Sequence, residues 1–387
     1  MPLVYLDNNA TTKIAPEVVE AMLPFFTDRW GNPSSMHLFG GRVMADVDAA
    51  RERVAAFIGA ADPSEIIFTS CGTESDNAAL YGAVESLGPE TTLITTKVEH
   101  PAVLGPCRHY RDARGHRLVE VGVDGGGHLD FDAYAEALAI PGPKAVSIMW
   151  ANNETGVVFD MPRIAKMAKD AGAFIHTDAV QAASKIPIDV SKVPVDTLAF
   201  AGHKIHAPKG VAVLYVRRGT RFKTYMIGGH QEGGRRGGTE NVPYIVGLAK
   251  ACDLAAEHLA DAPAVARLRD KLEEGLLATC PDASVNGDRA ARVPNTSNMS
   301  FAFIEGEAML YHLSDKGICA SSGSACSSGS LEPSHVIRAM GIPFTQAHGS
   351  LRFSLSRYTT EAEIDYALEQ MPAIVERLRA LSPFVAK

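Results

Sequence analysis

The chain has 387 residues, 46% hydrophobic and 21% charged, with a formal net charge of −8, a composition ordinary for a soluble globular protein. The acidic balance argues against a nucleic-acid partner, which needs a basic face to displace counterions. No apolar run reaches the roughly 18 residues that cross a bilayer, so no membrane association is expected, and the length favours two domains sharing a cleft.

The opening MPLVYLDNNATTK has neither a basic n-region nor an apolar h-region, and a cytoplasmic location is expected. From Arg42 to Ile58, Val43, Val47, Val54 and Phe57 recur at helical spacing and predict a helix. The stretch 65–69 (EIIFT) reads as a short buried strand, and further strands are predicted at 92–96, 145–150, 173–176, 197–200 and 210–216. Alternation of such strands with helical patterns implies βα units around a mostly parallel sheet, hence an α/β fold. A helix is predicted over 254–277. The tail from Asn295 mixes strands, a small-residue loop at 321–330 and a closing helix over 361–381. No internal repeat or long low-complexity linker interrupts the chain.

Polar residues gather just after the predicted strands: Asn152-Asn153-Glu154, then His176 and Asp178, then His203-Lys204. Ligands of open parallel sheets bind at the carboxyl ends of the strands. One such cluster could equally be a solvated loop, but three in succession point to a site. Ser70-Cys71-Gly72-Thr73-Glu74-Ser75 joins a strand to a helix, and a helix N-terminus offers N–H groups to an anion. An ordinary N-cap at Thr73 or Ser75 reads the same stretch as well. Asp178 at a strand end could keep a pyridine nitrogen protonated, or merely cap a helix. Lys204 sits in a small, apolar stretch, where poor solvation would ease deprotonation and suit the amine to imine formation. A lysine reaching to the surface is the alternative. His176, Asp178, His203 and His206 could form a metal site, but they complete no zinc spacing.

Six cysteines (71, 107, 252, 280, 319 and 326) form no CxxC pair and read as free thiols. Cys326 stands in Ala320–Ser330, a run without any large side chain, which predicts a mobile and exposed thiol. The other cysteines read as small core residues.

Taken together and in order, YLDNNATT (5–12), GNPSSMH (31–37), TSCGTESDN (69–77), VEHPAV (98–103), ANNETG (151–156), HTDAVQ (176–181), GHKIHAPKG (202–210), GGTEN (237–241), SSGSACSSGSLEPSH (321–335) and RFSLSRYTTEAEID (352–365) resemble the class V branch of fold-type I pyridoxal-phosphate enzymes, and within it the cysteine desulfurases. The likeness is nearest to the nitrogen-fixation type, NifS, with the housekeeping type, IscS, as the near relative. It implies a large cofactor-binding domain over 13–255, with a mostly parallel sheet flanked by helices. It also implies a smaller α+β domain from 1–12 and 256–387 carrying the Cys326 loop.

By the same resemblance Lys204 carries pyridoxal 5'-phosphate, His100 stacks on its ring, Asp178 pairs with the ring nitrogen and Gln181 with the ring oxygen. Gly72, Thr73 and His203 hold the phosphate, helped by Thr239 of a second subunit, which implies a homodimer. Asn153 and Arg352 hold the substrate carboxylate. Housekeeping relatives carry Ser two positions before the histidine; Ala201 stands there, which shifts the expected phosphate binding toward Thr73 and Thr239. The implied reaction takes L-cysteine to L-alanine and leaves the sulfur as a Cys326 persulfide for an acceptor of the NifU or IscU kind. A selenocysteine lyase, a transaminase and a non-catalytic assembly scaffold are the competing readings. The thiol loop counts against a transaminase, and intact Lys204, Asp178, His100 and Cys326 count against a scaffold.

Overall fold

The computed structural model describes residues 2–322 and 333–382. Among them are twelve strands: β1 (Val4–Tyr5), β2 (Ile66–Thr69), β3 (Thr92–Thr96), β4 (Leu118–Val121), β5 (Lys144–Ser147), β6 (Phe174–Asp178), β7 (Thr197–Ala201), β8 (Ala212–Val216), β9 (Ala283–Val285), β10 (Thr296–Phe301), β11 (Ile318–Cys319) and β12 (Ser350–Ser354). Seven form the central sheet in the order β2-β8-β7-β6-β5-β3-β4. Neighbours from β4 through β7 pair in parallel, and β8 runs antiparallel to both β7 and β2. The expected α/β class with a mostly parallel sheet is what the chain adopts.

A parallel sheet must be covered on both faces, and the two-residue period of its strands sorts the side chains between them. Ile66, Phe68, Ile94, Val146, Ile175 and Val213 enter one core, with the helices Leu38–Ile58, Met161–Asp170 and Val242–His258. Their neighbours Ile67, Leu93, Ala145, Phe174 and Leu214 face the other way, against the helices Gly72–Leu87 and Pro101–Arg114.

A separate core gathers Val4 and Leu6 with Leu272, Met299, Phe301, Leu351, Phe353, Ile364 and Met371. It lies on an antiparallel sheet, β12-β10-β9, and on the parallel pair β1-β11. The N-terminal residues are thereby built into a unit otherwise made from the C-terminal third. No described helix is long and apolar enough to cross a membrane.

Local chemistry accounts for the element ends. The helix predicted from Arg42 starts earlier, at Leu38, because His37 Nδ1 accepts from Gly40 N at 3.1 Å. It stops at Gly59, whose φ of 70° few other residues adopt. The single helix predicted over 254–277 is two helices, Val242–His258 and Ala262–Thr279, separated by the turn Leu259–Asp261. Pro263 has no N–H to continue the first helix and sits instead in the opening turn of the second. The closing helix, Glu361–Leu381, has the predicted bounds. The predicted strand 145–150 ends at Ser147, and β4, a half-buried edge strand, has no counterpart in the sequence reading.

Candidate active site

The carboxyl ends of the central strands deliver the candidate side chains to one place. Asp178 is the last residue of β6, and Lys204 closes the single turn after β7. Gly72 and Thr73 open the helix after β2, His100 caps the helix after β3, and Asn153 follows β5. Arg352 arrives from β12 on the smaller sheet. These seven, together with Gln181 and His203, line a cavity of about 330 Å³.

Lys204 Nζ donates to the carbonyls of Asn9 (2.6 Å) and Ala10 (2.8 Å), so its amine is held at the cavity wall. Asp178 is 6% exposed, and Oδ1 accepts from Val180 N at 2.8 Å. Burial pushes Asp178 above the usual carboxylate range, against the Val180 hydrogen bond and the charge of Lys204. A buried carboxylate of this kind is suited to a cationic or protonated-nitrogen partner. Behind it Asp76 is pushed up as well, by burial and then by the charges of Asp178 and Glu99.

His100 is lowered to about 4, chiefly by burial and then by Lys204, and is neutral at physiological pH. Its Nδ1 accepts from Ala102 N at 3.1 Å, so the neutral ring carries its proton on Nε2. His203, lowered to about 4 by burial and then by Lys204 and Lys209, lies with Nδ1 3.3 Å from Thr11 Oγ1.

The first turn of Gly72–Leu87 offers N–H groups that have no partner within the helix. Chain and chain approach closely there: a Cβ on Gly72 would lie 3.0 Å from Val180 Cγ2. At the other end of the cavity Arg352, 3% exposed, donates from Nη1 to the Asn153 carbonyl at 3.0 Å and from Nη2 to Asp7 Oδ1 at 2.9 Å. Its Nε and Asn153 Oδ1 are buried with no hydrogen-bond partner among the described residues. Unsatisfied buried polar atoms are costly, and both of these belong to residues that line the cavity. The cavity thus presents an amine, a buried carboxylate, a neutral imidazole, a helix N-terminus and a guanidinium.

One predicted residue lies elsewhere. Thr239 is exposed and lines a separate depression with Ser70 and Arg236, so the chain does not bring it to its own cavity. Cys326 lies outside the described residues. Among the described residues no group of three or more His, Cys, Asp and Glu could hold a metal. His176 is instead fully buried between Thr197 Oγ1 (2.9 Å) and Asp76 Oδ1 (3.1 Å), and His206 Nδ1 lies 2.8 Å from the Lys13 carbonyl.

Cys107, Cys252 and Cys280 are buried as expected, but Cys71 is exposed. It caps the helix Gly72–Leu87, its Sγ accepting from Glu74 N at 3.4 Å, and it lines the cavity. The sequence reading of individual residues also passed over Asn9, Asp76 and Lys185. Asn9 and Asp76 fall inside the YLDNNATT and TSCGTESDN motifs, which was the available signal.

Residues 4–367 match the family model described as aminotransferase class-V. A protein named cysteine desulfurase from Trichormus azollae is 58% identical over 385 residues, covering 99% of this chain and 96% of that protein. One named cysteine desulfurase NifS from Azotobacter vinelandii is 54% identical over 382 residues, covering 98% and 94%. Among solved structures, a NifS-like protein superposes with a TM-score of 0.90 at 38% identity, covering 97% of this chain and all of that one. SspA in complex with cysteine gives a TM-score of 0.79 at 32% identity, covering 92% and 99%. With a match that spans nearly its whole length and a cavity built at the strand ends of the same fold, the chain belongs to the class-V aminotransferase family.

Proposed function

We propose that the protein is a cysteine desulfurase that converts L-cysteine to L-alanine, takes the sulfur as a persulfide on Cys326, and donates it for iron–sulfur cluster assembly. The observation that carries the reading is the convergence of Lys204, Asp178, His100, Gly72-Thr73 and Arg352, from separate stretches of chain, on one cavity. Relatives at 54–58% identity bear the name cysteine desulfurase, and one of them NifS, which favours a role in nitrogenase maturation.

The family works with pyridoxal 5'-phosphate, and the residues present fit it. Lys204 supplies an amine for its aldehyde, Asp178 a buried carboxylate for its ring nitrogen, and Gln181 an amide for its ring oxygen. Gly72, Thr73 and His203 supply a helix N-terminus and an imidazole for its phosphate. The Asn153 amide N–H groups and the Arg352 guanidinium remain for the carboxylate of the amino acid. When bound, the cofactor draws electrons from the substrate carbon into its ring, the chemistry that makes a Cβ–S bond breakable.

The chain's residues do the rest. Arg352 and Asn153 hold the substrate carboxylate, an arrangement that suits a guanidinium. The Lys204 amine moves the Cα proton, and His100, neutral with its proton on Nε2, moves a proton at the substrate sulfur. The Cys326 thiolate attacks that sulfur: an S–S bond forms and the Cβ–S bond breaks. The electron pair stays with carbon, which takes a proton to become the methyl of alanine. Cysteine and one thiol thus yield alanine and one persulfide.

Thr239, remote from its own chain's cavity, serves the cavity of a second copy in this reading, and the protein works as a homodimer in the cytoplasm. An acceptor of the NifU or IscU kind takes the sulfur. The division into 13–255 and 1–12 with 256–387 belongs to the same proposal, and the packing of Val4 and Leu6 with residues of the C-terminal third supports it. The test is a cysteine assay on purified protein, following the visible cofactor band, sulfide and alanine together. Equal sulfide and alanine, lost in Lys204→Ala and Cys326→Ala, are expected; full alanine formation by Cys326→Ser would sink the persulfide route.

A further inference from the structure

Behind the cavity lies a second lysine, Lys185, 9% exposed. Its Nζ donates to Gln181 Oε1 and, at 2.9 Å, to Asn9 Oδ1. Asn9, 1% exposed, has every polar atom engaged. Its N–H donates to Ser354 Oγ (2.9 Å), and Nδ2 donates to Thr296 Oγ1 (2.9 Å) and the Asn153 carbonyl (3.2 Å). Its Oδ1 also accepts from Asn295 Nδ2 at 3.1 Å. Its carbonyl accepts from both Gln181 Nε2 (2.9 Å) and Lys204 Nζ (2.6 Å). One buried residue thereby joins the catalytic lysine, the candidate cofactor amide, the candidate substrate loop and two strands of the smaller sheet.

An amide side chain can point either way round, and its neighbours decide which. The Gln181 amide is gripped at both ends, Nε2 by the Asn9 carbonyl and Oε1 by Lys185. We propose that Lys185 is a positioning residue: through the oxygens of Gln181 and Asn9 it fixes the amide so that the Gln181 N–H not given to Asn9 faces the cofactor's ring oxygen, and it steadies the carbonyl on which Lys204 rests. The proposal depends on the cofactor reading above. Burial, then the charges of Lys204 and Arg352, hold the Lys185 amine well below the ordinary lysine range. An uncharged amine keeps two N–H groups, which matches the two oxygens it serves.

A donor on the ring oxygen stabilises negative charge there and lowers the pH midpoint at which the holoenzyme's visible band converts. Loss of that donor raises it. In protein loaded with pyridoxal phosphate, Lys185→Met is expected to shift the midpoint upward by roughly half to one pH unit, the equivalent of one hydrogen bond. Lys185→Arg keeps the donors and has a cavity of about 60 Å³ beside it to enter, and because it adds a fixed positive charge its midpoint should not rise above that of wild type. In a Gln181→Ala background, Lys185→Met should add no further shift, because its effect passes through Gln181.

An unmoved midpoint in Lys185→Met overturns the proposal, as does a full shift that persists without Gln181. Should Lys185→Met not fold, Lys185→Leu, which also lacks a donor, is read in the same way. A wild type that takes up pyridoxal phosphate without any visible band defeats the cofactor reading and this proposal with it. A normal wild-type band with an unresponsive Lys185→Met defeats the proposal alone.

Discussion

Arg352 shows how one side chain is asked to do several things at once. Its Nη1 and Nη2 hold the Asn153 carbonyl and Asp7 while Nε has no partner among the described residues, and its backbone pairs with Ser321 at 2.7 Å and 3.2 Å. A lysine offers a point charge in place of this fork and cannot serve Asp7, Asn153 and a carboxylate together. Arg352→Lys is therefore expected to lower kcat/KM for cysteine by roughly tenfold or more, mainly through KM. Initial rates of alanine formation against cysteine concentration measure this, and unchanged kinetics would remove Arg352 from substrate binding. Asp178 and Lys204 were legible as candidates because each follows a predicted strand and its residue type carries chemistry, while His100 entered through the family resemblance alone. Asn9 was not, because its importance comes from partners 144 to 345 positions away, brought together only by folding.

At the scale of elements, boundaries were legible wherever a local signal wrote them. The helix Glu361–Leu381 begins at Thr360, whose hydroxyl accepts from Glu363 N at 3.3 Å while Glu363 Oε2 accepts from Thr360 N at 2.7 Å. Thr360→Ala breaks this capping box and is expected to cost about 1 kcal/mol. A denaturant midpoint below that of wild type checks it. The region 242–279 was less legible, because its apolar spacing runs on across the turn at Leu259–Asp261. Pro263 was the signal that two helices meet there. The edge strand β4 lies half-buried against a single neighbour and carries no clean alternation. Such a strand is recognised by its pairing with β3 rather than by its own residues.

Across the whole molecule, packing charged groups around an interior cavity leaves several acids with too little water. Glu99, fully buried, is raised to about 8, chiefly by burial and despite accepting from Met149 N and Thr96 Oγ1. An unfolded chain releases this proton near the ordinary glutamate value, whereas the folded chain keeps it to about pH 8. Between those limits the folded state binds more protons, so the contribution of Glu99 to stability falls as pH rises and levels off above about 8. Glu99→Gln has no proton to lose. The stability of the cofactor-free variant relative to wild type should therefore grow between pH 5 and pH 8, by an amount on the order of a few kcal/mol. Urea unfolding of both proteins at several pH values measures the difference, and parallel profiles would contradict it.

What the sequence determined by itself was whatever is written in neighbouring residues. The strand period, the closing helix with its cap and the mostly parallel α/β order are of that kind, since local sterics and hydrogen bonding act over a few positions. Only the tertiary structure decided that Val4 and Leu6 complete the core of the C-terminal unit and that Arg352 reaches a cavity on the larger sheet. It alone placed Cys71 in the wall of that cavity and made Asn9 and Lys185 the support beneath Lys204. Those contacts join residues far apart in the chain, and burial turns them into shifted charges and unpaired atoms that no stretch of sequence carries on its own.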